Sequence, residues 1–499
     1  MDKQRRIGAL LSYSNIIAKN LVNFMYTPFL LRFVGQANYG LFQMTNSVIT
    51  SLSLLSMGFS SAYVKFYITY KVKKDTANIK KLNALYLLLF LGISLVSLII
   101  GVVLVFNTNH LFGRSLTPRQ LELTKYLMII MVMDVAITFI SSVFDSNITV
   151  NEQFVFQQTR QLMQTFLVPL ICIPLVFCGV GVLSIEITQI SITTIFLLLN
   201  VNYCLRRLQM RFDFKELPLS LLRDLGAFSF FIFLNQIVDL INNNAPNFIL
   251  GMFRGAKMVA TFAVAVQIKN MFFMLSTSLS NIFIPRVNQL VNMREEKNVL
   301  TDLMIKVGRI QMSILFFVLG GFIVVGQYFI NVWAGAANSM AYWLIILMVF
   351  PSIIPLSQNL GVEIQRAMNK HIFRSIVYSI FACVNVIATI IGSIHYGLVG
   401  ASIGYVISIL CANGIAMNWY YQVRMGLNMK AYWLHTLQVS IPFVIATGAL
   451  ELAKLYIRID SMKLFLLFGL IYALIYGLIY VRYIANSYEK GLLIETFRR

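Results

Sequence analysis

The sequence predicts an all-α polytopic membrane protein of about fourteen transmembrane helices, arranged as two pseudo-symmetric six-helix bundles plus a C-terminal helix pair. Three observations predict it. The 499 residues are 58% hydrophobic and only 12% charged, with a mean hydropathy of +0.76. Soluble domains carry roughly twice that charge, so extramembrane domains have to be small or absent. Apolar runs of span length recur along the whole chain. Finally, two polar-striped segments sit at corresponding places in the two halves, as in parallel-repeat transporters.

The spans follow in order. The first six lie near residues 10 to 32, 41 to 63, 82 to 106, 126 to 144, 162 to 182 and 185 to 204. The next six lie near 225 to 250, 259 to 284, 310 to 330, 341 to 360, 375 to 395 and 398 to 419, and a last pair near 432 to 450 and 464 to 481. The implied domains are 1–204, 205–420, and 421–499 with the extra pair and a tail. The first and seventh spans are the weakest as isolated apolar segments because both carry ionisable and amide side chains at depth. Met1 to Gly8 is basic, but the following apolar stretch is long and lacks a small-residue cleavage site, which predicts a retained first helix rather than a signal peptide.

Charge sets orientation. The net charge of +21 comes from 40 Lys+Arg against 19 Asp+Glu. The loops on the side of the two termini hold roughly three times the cations of the opposite loops, which predicts cytoplasmic termini. The densest patch, Lys71, Lys73, Lys74, Lys80 and Lys81, therefore reads as a positive-inside determinant beside anionic headgroups, with no nucleic acid implied. Cys172, Cys178, Cys204, Cys383 and Cys411 fall in or beside apolar segments without a CxxC pair, so neither disulfides nor zinc is indicated.

The repeat aligns Asn15, Asn23, Phe33, Gly35, Phe42, Leu55, Ser56 and Ser60 with Asn235, Asn243, Phe253, Gly255, Phe262, Leu275, Ser276 and Ser280 at one constant offset, without gaps. An even number of spans per copy gives both copies the same orientation. Prolines recur in the same helices: Pro28 and Pro246 in the paired first and seventh spans, Pro169 and Pro174 in the fifth, Pro351 and Pro355 in the tenth. Each favours a kink, either passive or a bending point for alternating access.

In the first span Ser12, Asn15, Lys19 and Asn23 recur at three- and four-residue spacing, so they share one helix face. Lys19 lies about 13 Å inside the span, too deep for easy snorkelling, and such a lysine costs about 2.5 to 3.5 kcal/mol on insertion scales. It has to meet water or an anion. The matching face of the seventh span carries Asn235, Asp239, Asn242 and Asn243, and Asp239 aligns with Lys19. Lys269 is a second deep cation in the eighth span and Asp134 a deep acid in the fourth. Two readings stand side by side: Asp239 neutralises Lys19 or Lys269 in a buried bridge, or these charges line a solvated substrate path. Glu186, Glu363 and Asp145 lie near span ends, where interfacial solvation is the default expectation.

Catalytic and metal signatures are not evident. His110, His371, His395 and His435 are scattered, and HExxH and phosphate-cradling glycine loops do not occur. Asn147-Ile148-Thr149 forms a sequon on the predicted cytoplasmic side and reads as chance.

The stretch Phe29-Leu30-Leu31-Arg32-Phe33-Val34-Gly35-Gln36-Ala37-Asn38-Tyr39-Gly40-Leu41-Phe42, followed by Leu54-Leu55-Ser56-Met57-Gly58-Phe59, resembles the opening of bacterial polysaccharide repeat-unit flippases. These are the O-antigen flippase family of the multidrug/oligosaccharidyl-lipid/polysaccharide exporter superfamily. With the span count and two-lobe repeat, the resemblance extends over essentially the whole chain. It implies a non-enzymatic protein of the bacterial cytoplasmic membrane, acting in polysaccharide biosynthesis such as that of lipopolysaccharide O-antigen. It further implies translocation of an undecaprenyl-diphosphate-linked oligosaccharide to the outer leaflet through a cationic cavity, by ion-coupled or substrate-driven alternating access. The cavity cations of the family correspond here to Lys19 and Lys269 by type and depth. Asn15, Asn23, Asn235 and Asn243 are then expected to line the cavity, and Asp239 and Asp134 to be candidates for coupling to H+ or Na+. The expected partners are the lipid-linked oligosaccharide, membrane lipids, and the polymerase and glycosyltransferases of the same pathway. Two rival readings remain. A drug or organic-cation antiporter of the same fold prefers cavity acids; a membrane glycosyltransferase or polymerase needs a large outer loop, and the longest here, near 107 to 125, is short.

Overall fold

The computed structural model describes residues 2–56, 58–217, 220–293 and 297–491. Among them no strand occurs, and helices carry most of every apolar stretch. The chain divides into two compact units, Met1–Ala260 and Thr261–Arg499.

The first unit holds α1 (Asp2–Phe33), α2 (Gln36–Ile49), α3 (Phe59–Val72), α4 (Thr76–Phe106), α5 (Thr108–Phe112), α6 (Pro118–Val150), α7 (Phe154–Phe177), α8 (Leu183–Asn202) and α9 (Ser220–Arg254). Helix starts are written locally. Asp75 caps α4 by accepting from the Asn78 amide, and Thr117 with Gln120 forms a reciprocal capping box on α6 with Pro118 in the first turn. The second span expected from sequence is not one helix. It breaks between α2 and α3 through a 3₁₀ turn at Thr50–Ser56, and Gly58 (φ 69°) reopens it in a conformation glycine adopts freely. A tyrosine-rich core of Tyr63, Tyr86, Phe90, Phe139 and Val143 packs α3, α4 and α6 together. Inside it, Tyr63 donates to Asn83 (2.7 Å) and accepts from Asn147 (2.9 Å), so the sequon asparagine is buried and bonded.

The second unit holds the remainder of α10 (Ala256–Asn292), then α11 (Lys297–Trp333), α12 (Ala341–Ser357), α13 (Asn359–Ala367), α14 (Ile372–Ile409), α15 (Asn418–Tyr420), α16 (Met429–Leu437), α17 (Ser440–Lys454) and α18 (Met462–Ile479). Apolar residues face outward as well as inward. On α18, Leu466, Leu470, Leu474 and Leu478 are exposed while Phe468, Tyr472 and Tyr476 are buried. In water this would be a misfolded surface; in lipid it is a boundary.

Among the described residues, eleven helical stretches are long and apolar enough to cross a bilayer. α1 and α9 are not among them, which are the two helices whose polar stripes the sequence singles out. One stretch, Ile372–Met425, has 54 residues, far more than one crossing needs. It turns at Gly397 (φ 60°, ψ −126°), where the chain leaves helical geometry. The two arms touch backbone to backbone: a Cβ placed on Gly400 would lie 1.9 Å from the Gly392 carbonyl oxygen. Gly400→Ala is therefore expected to force the arms apart and destabilise the protein by about 1 to 3 kcal/mol, read as a lower thermal unfolding midpoint in detergent.

The repeat has a backbone counterpart. Gly35, between α1 and α2, and Gly255, between α9 and α10, both take positive φ, 91° and 84°. Both mark the end of a polar-striped helix. The prolines at 28, 246, 169, 174, 351 and 355 all sit inside continuous helices.

Candidate functional site: a polar groove in the first unit

α1 and α7 run side by side in the same direction. Gly8 abuts Phe154, Asn15 bonds Gln158, and the Phe33 ring packs on that of Phe177 at 5.1 Å, so contact partners advance together along both helices. Between them and α8 lies a groove of 590 Å³. α1 contributes Ser12, Asn15, Lys19, Asn23 and Tyr26; α7 contributes Gln158, Gln161, Gln164 and Thr165; α8 contributes Gln189. The α1 and α7 sets follow helical spacing, so one polar face from each of these two helices meets the other, with Gln189 added from α8.

Lys19 lies near the middle of α1 and is exposed to the groove. Among the described residues no carboxylate pairs with it, in contrast to Arg160, whose 2.7 Å bridge to Asp145 ties α7 to α6. Asn15 is only 8% exposed. Its Nδ2 donates to the backbone oxygen (2.7 Å) and Oε1 (2.8 Å) of Gln158, while its Oδ1 has no partner among the described residues. Asn23 lines the groove one turn beyond Lys19. At the far end Tyr26, Phe29, Phe33 and Phe177 form an aromatic cluster.

Beside the groove sits a carboxylate pair. Glu186 of α8 is buried and lies within Coulombic reach of Asp134 on α6 and of the Tyr26 hydroxyl. Asp134 Oδ1 and Thr188 Oγ1 are enclosed without a hydrogen-bond partner among the described residues. Gln189 reaches from the groove toward Thr193 (3.5 Å), and Thr193 neighbours Asp134. Buried polar atoms left unpaired in such a cluster call for a proton, an ion or water. Glu186 corrects the expectation of interfacial solvation: α8 turns it inward instead of leaving it at a membrane surface. Asp145 needs the same correction, because it accepts from Asn200 (3.1 Å) as well as binding Arg160. Glu363 pairs with Arg366 in an exposed i,i+3 contact.

The remaining predicted residues are placed elsewhere. Lys269, on α10 in the second unit, is 4% exposed. Its ammonium rests 4.3 Å from the Tyr405 ring and 5.7 Å from that of Phe273, and the Tyr405 hydroxyl pairs with Ser352 (2.9 Å). Aromatic faces here take the place of a carboxylate. Asn243 is exposed on α9 and is not part of the groove. The side chains of Asn235 and Asp239 lie outside the described residues. The glutamines of α7 and the partner role of Glu186 were missed from sequence, although Gln158, Gln161 and Gln164 follow one another at three-residue spacing.

A multi-pass helical membrane protein with a polar, cation-bearing groove is the class that fold and site define. The chain belongs to the polysaccharide biosynthesis protein family, whose model matches residues 7–291. It is 20% identical to the uncharacterized membrane protein EpsK of Bacillus subtilis (strain 168), over 95% of this chain and 94% of that one. Among solved structures its fold resembles the lipid II flippase MurJ in an inward closed conformation, with a TM-score of 0.73 at 16% identity, covering 98% of this chain and 100% of that one. It also resembles an inward-facing multidrug resistance MATE family transporter of the MOP superfamily, with a TM-score of 0.64 at 13% identity, covering 82% and 94%. Both of those solved proteins are named for transport rather than catalysis.

Proposed function

We propose that this protein carries a polyprenyl-diphosphate-linked oligosaccharide repeat unit from the cytoplasmic to the outer leaflet of the bacterial cytoplasmic membrane, with both termini in the cytoplasm. The observation that carries the reading is Lys19: a cation without a carboxylate partner among the described residues, mid-helix, in a groove whose remaining polar lining is amides and hydroxyls beside the apolar Ile16, Val22, Val168 and Pro169. The polysaccharide biosynthesis family and a fold shared with a lipid II flippase support it. So does the physics. A sugar diphosphate cannot enter hydrocarbon unaided, and its polyprenyl tail is expelled from water, so a path has to be wet on one side and open to lipid on the other. The ammonium suits the diphosphate, and amides suit hydroxyls. The delivered unit is then available to a polymerase, and glycosyltransferases supply it.

Asp134 and Glu186 supply the coupling in this reading: a proton or Na+ held between them changes the charge beside the groove. The same pair favours a second reading, a cation-coupled antiporter of organic cations, which Lys19 opposes. The test is reconstitution in proteoliposomes with a labelled polyprenyl-diphosphate oligosaccharide and, separately, a labelled lipophilic cation. The lipid-linked sugar is expected to cross, faster under a proton or sodium gradient, and Glu186→Gln is expected to remove the gradient response while exchange without a gradient persists. Movement of the organic cation alone would reject the flippase. Transport indifferent to collapse of both gradients would reject the coupling role.

A further inference from the structure

We infer that the glutamine face of α7 is the sugar-reading surface of the groove, and that Gln161 and Gln164 select the uncharged, hydroxyl- or acetamido-bearing sugar next to the diphosphate. The inference rests on the flippase reading and adds to it which residues read which part of the cargo. Gln158, Gln161 and Gln164 rise along one helix face over about 9 Å. Lys19 stands opposite, with Asn15 and Asn23 on either side of it along α1.

The competing explanation is that these amides simply hold α1 to α7, as polar side chains do between membrane helices. Gln158 fits that role, since it accepts from Asn15. Gln161 and Gln164 do not: among the described residues neither side-chain amide has a hydrogen-bond partner, although the Gln161 backbone oxygen accepts from Thr165 (3.0 Å), and Gln161 is exposed. An unbonded amide in hydrocarbon is costly, so two of them on one groove wall need water or a polar ligand. Asn15 adds an independent sign, because its enclosed Oδ1 is an acceptor without a donor among the described residues.

The chemistry of the lining narrows the ligand. An amide both donates and accepts, which matches hydroxyl and acetamido groups. Among the described residues no carboxylate lines the groove to bind an amino sugar, and Lys19 is its one cation. With the diphosphate engaging Lys19, a uronic acid in the adjacent position would be left without a counter-charge, so the surface favours a neutral sugar.

The test measures binding to the full chain in nanodiscs, separately from translocation, with three probes: polyprenyl diphosphate, the same lipid bearing a neutral N-acetylated disaccharide, and the same lipid bearing a uronic-acid disaccharide. Wild type is expected to bind the neutral glycolipid most tightly. Gln161→Leu with Gln164→Leu should weaken that binding by about tenfold or more and leave bare polyprenyl diphosphate unchanged. Gln164→Asn, which keeps the amide, should lose less, and an unchanged thermal midpoint shows that the variants are folded. Equal binding of all three probes by wild type, or equal weakening of every probe in the double variant, overturns the assignment while the flippase reading stands. Failure of wild type to bind any of them overturns both.

Discussion

Lys19→Ala is expected to lower translocation of lipid-linked oligosaccharide in proteoliposomes by about tenfold to a hundredfold, the worth of a charge-assisted hydrogen bond to a phosphate. The same variant should insert and fold at least as well as wild type. A lysine mid-span costs about 2.5 to 3.5 kcal/mol on insertion scales, so deleting it relieves the membrane of a charge. A residue kept for stability would show the opposite pairing. Because Lys19 is exposed in the groove and has no carboxylate partner among the described residues, its removal leaves no buried acid stranded. Lys19→Arg should retain much of the activity, and Lys19→Glu should abolish it by facing the diphosphate with like charge. Full activity of Lys19→Ala would remove the groove from the transport path.

Much of this was legible in sequence because lipid enforces a simple code. Any polar side chain at depth is an exception with a cost, so the face of Ser12, Asn15, Lys19 and Asn23 stood out. The same logic set apart α1 and α9, which among the described residues are not counted with the helices long and apolar enough to cross a bilayer. Gly35 and Gly255 were legible for a different reason: both occupy a backbone region costly for other residues, so the repeat kept glycine there. The missing parts share a cause as well. Each glutamine of α7 is neutral and is diluted within an apolar window, so only packing against α1 shows that three of them share a groove wall. Glu186 and Asp145 sit near span ends in the linear sequence, and nothing local reveals that neighbouring helices cover them. Lys269 is buried, and its cover comes from Tyr405, far along the chain.

The largest stability effect should come from a contact that spacing could not suggest. Arg309 of α11 and Glu489, in the segment after α18, form a buried pair: Nε to Oε1 at 2.6 Å and Nη2 to Oε2 at 3.0 Å. Arg309 also donates to the carbonyls of His435 (2.7 Å) and Ile484 (2.9 Å), and Glu489 accepts from the Asn486 amide (3.0 Å). Lys306 lies 3.7 Å from the Tyr488 ring, beside this fastening. Truncating one partner strands the other's charge, so Glu489→Ala should destabilise the protein by about 3 to 5 kcal/mol, whereas Arg309→Met with Glu489→Leu should recover most of that loss. Thermal unfolding across this double-mutant cycle measures both. The pair also carries a pH signature. Burial by itself would raise the Glu489 carboxyl, but Arg309 and the Asn486 amide outweigh it and hold the group below its ordinary value of 4.5. A carboxylate depressed on folding contributes its stabilisation above the unfolded value and loses it as pH falls through the folded one. Wild type should therefore hold its melting midpoint from neutrality down to about pH 4.5 and then decline, while the Met/Leu double variant lacks that component of the decline. Identical acid profiles for the two proteins, or a Glu489→Ala variant as stable as wild type, would show that the C-terminal segment is not anchored through this pair.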